Sequence, residues 1–382
     1  MRSIASLPAA AGPAPEMPFD TKTMQRRQRD DRAAHGTDIW GTAQPQRAAN
    51  SDITKLRRIG LPLFYSEHDL ADWLGISLSR LRWYTHDLPA DTTWHYKRIV
   101  MAKRSGGERV ILAPKRELKL LQRKVLEGIV GIVPTAPAAH GFITGRSTVT
   151  NAQPHVSKNV ILKLDLKDFF PSITFPRVRG LFISLGYSFA VASALALLCT
   201  EYDREPFIYE DQQVYVSIGP RHLVQGAPTS PGLANLIAWR LDRRLEGLAA
   251  KRGFAYTRYA DDLTFSGNDD TAISTLRTIS QRIIHEEHFT PNVKKTRIAR
   301  NSARQIVTGL VVNESVSVPR ETRRRMRAIL HNASKTDLAT QNRDARPGFG
   351  AYLRGMIAYI NAANPKHAAT LRTELDRIDP IA

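Results

Sequence analysis

Apolar and polar side chains alternate between residues 160 and 167, and this period of two predicts a β-strand. The apolar stripe on one face consists of Val160, Leu162, Leu164 and Leu166. Asp165 falls on the opposite face, close to the end of the strand. We therefore expect a strand that packs one face and presents a carboxylate on the other.

Short apolar runs flank Tyr259-Ala260-Asp261-Asp262 and predict a hairpin with both aspartates in its turn. Turns favour Asp on their own account, and most such pairs are simply solvated. Asp165 changes the picture, because three clustered carboxylates stay ionised only when cations lie among them. Two Mg²⁺ ions held in this way can bridge substrate phosphates, activate a hydroxyl and stabilise a leaving pyrophosphate.

Helices are predicted before and after these strands. Ser66 begins one helix with a capping box, Gly75 ends it, and a second helix follows around Leu81. This pair is either a helix-turn-helix that binds DNA or a helical element packed on the body of the protein, and we favour the second. An amphipathic helix is predicted over residues 116–132.

A further helix begins at Ser230, has Pro231 in its first turn and ends near Gly253. Its apolar stripe consists of Leu233, Ile237, Leu241, Leu245 and Leu248. Another helix begins at Pro319, and an apolar face over 352–360 predicts a second C-terminal helix. Four arginines share one face of the Pro319 helix: Arg320, Arg323, Arg324 and Arg327.

Composition points to a polyanionic partner. The 382 residues include 55 Lys and Arg against 36 Asp and Glu, a net charge of +19. Cations that bind phosphates release counterions, so nucleic acid fits this chain, and no apolar run is long enough to cross a membrane. Cys199 is the single cysteine, which excludes an internal disulfide and indicates the reducing cytoplasm. Residues 1–55 hold few large apolar side chains and predict a disordered or loosely attached basic arm.

Taken together, these residues resemble the reverse transcriptases, over roughly residues 96–360. Asp165 is similar to the first catalytic aspartate of that family, and Asp261 and Asp262 match its Tyr-x-Asp-Asp box. Residues 225–231 resemble the box that supports the incoming nucleotide and the template. Residues 292–296 resemble the box whose lysine lies near the triphosphate.

Two shorter segments resemble signatures of the retron reverse transcriptases. Residues 151–155 are similar to the Asn-Ala-x-x-His signature, and residues 307–309 to the Val-Thr-Gly signature. The resemblance implies a role in RNA recognition for Asn151, His155, Val307, Thr308 and Gly309. The alternatives from the residues themselves are a hydrogen-bonded structural His155 and a turn at Gly309.

The resemblance implies an α+β fold, the right-hand polymerase, in which a palm with an antiparallel sheet lies between fingers and an α-helical thumb. The implied divisions are the arm at 1–55, an N-terminal helical element at 56–95, fingers at 96–150, palm at 151–312 and thumb at 313–382.

It also implies the chemistry of an RNA-directed DNA polymerase. Asp165, Asp261 and Asp262 would hold two Mg²⁺ ions, for which Mn²⁺ can substitute. Lys295 would be an electrostatic partner or a proton donor to pyrophosphate. Arginines on the Pro319 helix would track the backbone of a duplex.

The nucleotide would meet a second group of residues: Lys103, Arg109, Phe170, Gln225 and Gly226. Lys103 and Arg109 lie in a predicted hairpin with a Gly-Gly turn, whose alternative reading is an ordinary solvated hairpin. Phe170 would exclude a ribose 2′-hydroxyl and select dNTPs, although Phe169 and Phe170 could both be core residues.

The implied partner is a structured noncoding RNA encoded nearby, which serves as template and primes synthesis from a guanosine 2′-hydroxyl. The product would be branched RNA-linked single-stranded DNA (msDNA), made with dNTPs in a system that defends against phage and includes an effector or toxin protein. Two alternatives stay open: the polymerase of a group II intron or diversity-generating element, and an RNA-binding scaffold that restrains a partner toxin.

Overall fold

Three short helices open the described part of the chain, which in this computed structural model comprises residues 50–85, 90–91, 93–102 and 106–379. The helices are α1 Ile53–Ile59, α2 Glu67–Leu74 and α3 Leu78–Thr85. The capping box predicted at Ser66 is confirmed, with Asp69 as its partner, and Gly75 ends α2 in the left-handed conformation. Packed structure begins before the boundary predicted at residue 55. Most of the predicted arm (1–49) and Lys103 lie outside the described residues.

The elements that follow form hairpins, a central sheet and helices. The strands are β1 Ala90–Asp91, β2 Tyr96–Ala102, β3 Glu108–Pro114, β4 Val160–Lys167, β5 Glu201–Tyr209, β6 Gln212–His222, β7 Ala255–Tyr259, β8 Asp262–Gly267, β9 Thr290–Pro291, β10 Arg297–Arg300, β11 Ile306–Val307 and β12 Leu310–Val311. The helices are α4 Arg116–Val125, α5 Thr148–Ala152, α6 Phe175–Leu185, α7 Phe189–Cys199, α8 Ser230–Ile237, α9 Trp239–Lys251, α10 Ile273–Glu286, α11 Arg320–Ala333, α12 Leu338–Gln341, α13 Phe349–Ala363 and α14 Pro365–Ile378.

The central sheet is antiparallel, with the strand order β10-β4-β8-β7 and with β9 paired to the end of β4. Together with the surrounding helices it confirms the α+β class. The predicted apolar stripe of β4 packs into the larger core. The opposite face is not open, because Ile161 is buried in a second core shared with α11, α13 and α14. Asp165, further along the same face, is only 6% exposed.

Two helices differ from their sequence predictions in where they end or break. The helix predicted over 116–132 is α-helical only to Val125 and then widens into a π-helical turn over Leu126–Val130. The helix predicted from Ser230 is broken at Ala238, where α8 ends and α9 begins, and Thr229 rather than Ser230 precedes its first residue. The apolar periodicity continues through the break at Ala238, so the sequence pattern does not indicate that the helix is divided there.

The long hairpin β5–β6 lies within the predicted palm segment, although no strand was predicted there. Its turn residues Glu210 and Asp211 both have positive φ, at 47° and 59°, the conformation of a tight hairpin turn. At the C-terminus, the predicted helices at Pro319 and over 352–360 are present as α11 and α13, and α14 packs against both. Among the described residues, no helix is both long and apolar enough to span a membrane.

Candidate active site

The predicted carboxylates meet at the end of β4. Asp165 pairs in register with Asp262, the first residue of β8. The turn of the β7–β8 hairpin is therefore Ala260-Asp261, and Asp262 lies in the strand rather than in the turn as predicted. The N–H of Leu166 donates to the carbonyl of Asp261 at 2.9 Å, which ties this turn to β4.

A fully buried arginine, Arg258, stabilises the Ala260-Asp261 turn through hydrogen bonds. Arg258 donates to both carboxylate oxygens of Asp242, at 2.8 and 2.7 Å, and to the carbonyl of Ala260 at 3.1 Å. Ala260 has a φ of 56°, unusual for a residue with a side chain. Sequence reasoning missed this contact, although a lone arginine in the buried run before Tyr259 is a signal for it.

Burial and mutual repulsion act on the carboxylates. Partial burial raises the pKa of Asp261 and of Asp262, and the neighbouring Asp165 acts in the same direction on both. A nearby cation stabilises the charged form of an aspartate that burial and neighbouring carboxylates disfavour in this way. The electrostatics of the site therefore favour a bound positive charge.

Lys295 supplies one such charge. Its ammonium lies 3.0 Å from Oδ2 of Asp165, and this hydrogen bond raises the pKa of Lys295. The lysine ends a short 3₁₀ turn, Val293–Lys295, whose preceding residue Asn292 donates its N–H to the carbonyl of Asp165 at 2.7 Å. The predicted lysine thus meets the predicted first aspartate.

The residues present fit a divalent cation bound together with substrate. Oδ1 of Asp165 is buried and lacks a hydrogen-bond partner in the protein, so it is available as a ligand. Among the described residues, no group of three His, Cys, Asp or Glu side chains forms a ready-made metal cage. Mg²⁺ commonly binds through one or two carboxylates, with water and substrate phosphates as its other ligands.

The segment predicted to support the nucleotide, residues 225–231, contacts the β2–β3 hairpin. Leu112 of β3 donates its N–H to the carbonyl of Gln225 at 2.8 Å. Gly226 has a φ of 116°, and a Cβ there would lie 2.7 Å from the carbonyl oxygen of Leu112. Only glycine fits this approach without strain. Arg109, on β3, is exposed, and Gln225 is half-buried.

Phe170 follows three residues after the end of β4, which carries Asp165, and is only half-buried, whereas Phe169 is buried in the core. Their ring centroids are 5.6 Å apart. One of the pair, Phe169, is thus a core residue. Phe170 keeps a partly exposed ring, which is compatible with contact to a substrate.

The two retron-like segments meet in space. Nδ2 of Asn151 lies 3.5 Å from Oγ1 of Thr308, which also donates to the carbonyl of Thr148 at 3.1 Å. Thr308 and Gly309 both have positive φ and form the tight turn between β11 and β12. Val307 is fully buried.

His155 is buried beneath the sheet. Its Nδ1 lies 2.7 Å from Oγ of Ser266, and its Nε2 lies 2.8 Å from Oγ1 of Thr257. Burial lowers the pKa of His155 to about 3, so the imidazole is neutral. The geometry places this histidine in the structure of the sheet and away from solvent.

The arginine face of α11 is present. Arg320, Arg324 and Arg327 are exposed, whereas Arg323 is half-buried and donates to the carbonyl of Val318 at 3.1 Å. Met326 and Leu330 pack behind them into the second core. Three of the four arginines are thus available to a polyanion.

Comparison with known proteins identifies the family. A family model described as reverse transcriptase (RNA-dependent DNA polymerase) matches residues 101–326. The retron Mx65 reverse transcriptase of Myxococcus xanthus is 48% identical over 84% of this chain and 73% of its own length. The chain belongs to the retron reverse transcriptases. The enzyme is therefore an RNA-directed DNA polymerase.

A second retron relative agrees. The retron Ec86 reverse transcriptase of Escherichia coli is 35% identical to this enzyme over 85% of the chain and 93% of its own length. Among solved structures, telomerase from Candida albicans, determined with a fragment of telomeric RNA, matches with a TM-score of 0.46 and 12% identity. That match covers 74% of this enzyme, which spans 63% of the telomerase chain.

Proposed function

We propose that this enzyme copies a structured noncoding RNA encoded nearby into msDNA, in a retron that defends its host against phage. The observation that carries the proposal is the meeting of the two retron-like segments, where Asn151 approaches Thr308 at 3.5 Å. Residues that lie far apart in sequence and carry one subfamily's signature thus form one feature. Relatives named as retron reverse transcriptases support the same reading.

In this proposal, residues 151–312 form the palm, 96–150 the fingers and 313–382 the thumb. Asp165, Asp261 and Asp262 would hold two Mg²⁺ ions, which when bound supply Lewis-acid activation and neutralise charge on the transferring phosphate. Lys295 would hold the substrate's negative charge beside Asp165 and give a proton to the departing pyrophosphate. Arg258 would keep the Asp261 turn in place through the carbonyl of Ala260.

The nucleotide would lie between the carboxylates and the β2–β3 hairpin. Arg109, together with Lys103, would neutralise the triphosphate, and Gln225-Gly226 would support the base pair from the opposite side. Phe170 would exclude a ribose 2′-hydroxyl by its bulk. The half-buried position of its ring supports this assignment.

The RNA would be held by charge and by shape. The arginines of α11 and the net charge of +19 would supply salt-sensitive affinity for phosphates. Asn151, His155 and the segment 307–309 would seat the RNA fold, with His155 acting through the sheet. A guanosine 2′-hydroxyl of this RNA would prime synthesis, in the cytoplasm, and an effector protein encoded nearby would complete the system.

The experiment is to purify the full chain from its host, sequence the nucleic acid that copurifies with it and test the linkage. We expect one RNA species joined covalently to short single-stranded DNA, so that RNase shortens the product without freeing an intact 5′ end. Only unlinked DNA, or a random set of RNAs, would contradict the msDNA proposal.

A further inference from the structure

Phe142 combines two unfavourable features. Its side chain is 54% exposed, and its φ is 62°, in the left-handed region. A bulky aromatic residue is a genuine outlier there, because its Cβ crowds the backbone. Such strain persists only where the surroundings impose it, and it concentrates at functional sites.

The surroundings do impose it. Gly141 lies so close to the Asp261 turn that a Cβ at this position would be 2.7 Å from the backbone nitrogen of Ala260. Its carbonyl accepts from Nδ2 of Asn235 at 2.8 Å, and the N–H of His140 donates to the carbonyl of Arg258 at 2.7 Å. The loop before Phe142 is therefore fixed to the same buried network that holds the carboxylates.

The ring of Phe142 lies near that of Phe170, which is proposed above to contact the sugar of the nucleotide. Its centroid lies 6.3 Å from that of Phe170, and the two planes are inclined by 43°. Phe170 packs onto the core, whereas Phe142 stands more exposed beside it. The two rings are thus neighbours, and Gly141, which precedes Phe142, lies against the backbone of Ala260, next to Asp261.

We propose that Phe142 is a substrate-contacting residue, whose ring packs against the sugar or base of a nucleotide at the polymerase site. This inference rests on the proposed placement of the nucleotide beside Phe170. Aromatic side chains commonly stack on nucleotides in this way, independently of sequence. The nucleotide is either the incoming dNTP or the terminal nucleotide of the primer, because both carry a sugar and a base.

The decisive variant is Phe142→Gly, because glycine removes the ring and also accepts a positive φ. Phe142→Ala and Phe142→Tyr accompany it, and Tyr65→Ala removes another exposed aromatic ring, from the N-terminal helical region, as a control. Each protein is measured for Tm, for dNTP KM on a primed RNA and for Kd of a fluorescent primer–template without dNTP.

We expect Phe142→Gly to keep or raise the Tm while the dNTP KM or the primer–template Kd rises about 10-fold, the loss of one stacking contact. A change in KM assigns the contact to the incoming dNTP, and a change in Kd assigns it to the primer. Phe142→Tyr and the control should match the wild type. Unchanged KM and Kd, or a lower Tm for Phe142→Gly, would overturn the inference.

Failure of the proposed function would look different. If the wild-type protein does not extend a primed RNA, the proposed polymerase site is contradicted. The binding measurement needs no turnover, so it still tests Phe142 in that case.

Discussion

Lys295 is bound to Asp165 in two ways: its ammonium lies 3.0 Å from Oδ2, and the turn that carries it is anchored by the N–H of Asn292 on the carbonyl of Asp165. The backbone contact fixes where the ammonium can reach. The lysine side chain is nevertheless 61% exposed, so it remains open to a substrate.

Lys295→Ala should lower dNTP incorporation by about 10²-fold, because a positioned proton donor and cation is lost at the pyrophosphate. The Tm should fall modestly, because the nearly buried carboxylate of Asp165 loses its partner cation, although Lys295 itself is largely exposed. Single-turnover incorporation on a primed RNA measures the effect. Lys294→Ala, an exposed neighbour, is the control and should retain the wild-type rate. Equal rates in both variants would remove Lys295 from the mechanism.

Phe170→Ala should raise the use of rNTPs relative to dNTPs, because the bulk that meets a 2′-hydroxyl is removed. Competition between matched dNTP and rNTP gives the ratio directly. Phe169→Ala is the comparison: its ring is buried, and its loss should cost about 3–5 kcal/mol of stability. An unchanged nucleotide ratio in an active Phe170→Ala protein would refute the gate.

Asn151→Ala and Thr308→Ala, tested separately, should harm self-primed synthesis on the cognate RNA more than extension of an ordinary annealed primer. RNA-binding proteins read shape and unpaired nucleotides, so the loss should depend on the fold of the RNA. Both substrates are compared at one salt concentration. Gln153→Ala, exposed in the same segment, is the control. Equal losses on both substrates would indicate that the contact only holds the fold together.

His155 should make stability depend on pH. Its pKa is lowered to about 3 by burial, whereas the unfolded chain protonates near 6.5. Between these values the unfolded state binds more protons, so stability falls as the pH falls below 6.5. His155→Gln cannot titrate, and its loss of stability from about pH 7 to about pH 5 should be smaller by up to about 2 kcal/mol. Urea unfolding at both pH values decides, and parallel losses would contradict the assignment.

Short-range patterns accounted for much of the site. Alternation predicted the strand that carries Asp165, and the flanking apolar runs predicted the hairpin with Asp261, because both depend on neighbouring residues. The capping box at Ser66 was predicted for the same reason. The resemblance to reverse transcriptases then added Lys295, whose contact with Asp165 no local pattern indicates.

Contacts between distant segments were beyond the sequence. Arg258 is paired with Asp242 in the core, and Gly141 lies against Ala260, because tertiary packing brings their elements together. Local periodicity carries no information about such pairs. The break at Ala238 was missed for a related reason, since the apolar stripe serves both helices.

Asp261→Asn tests the central claim most directly, because the amide keeps the shape of the carboxylate and removes its charge. We predict a loss of at least about 10²-fold in dNTP incorporation on a primed RNA. The Tm should equal or exceed that of the wild type, since burial already disfavours the charge of Asp261. The Kd for RNA should stay near its wild-type value. Asp211→Asn, in the exposed β5–β6 turn, should remain fully active. A folded Asp261→Asn protein that incorporates dNTPs at the wild-type rate would contradict the proposed site.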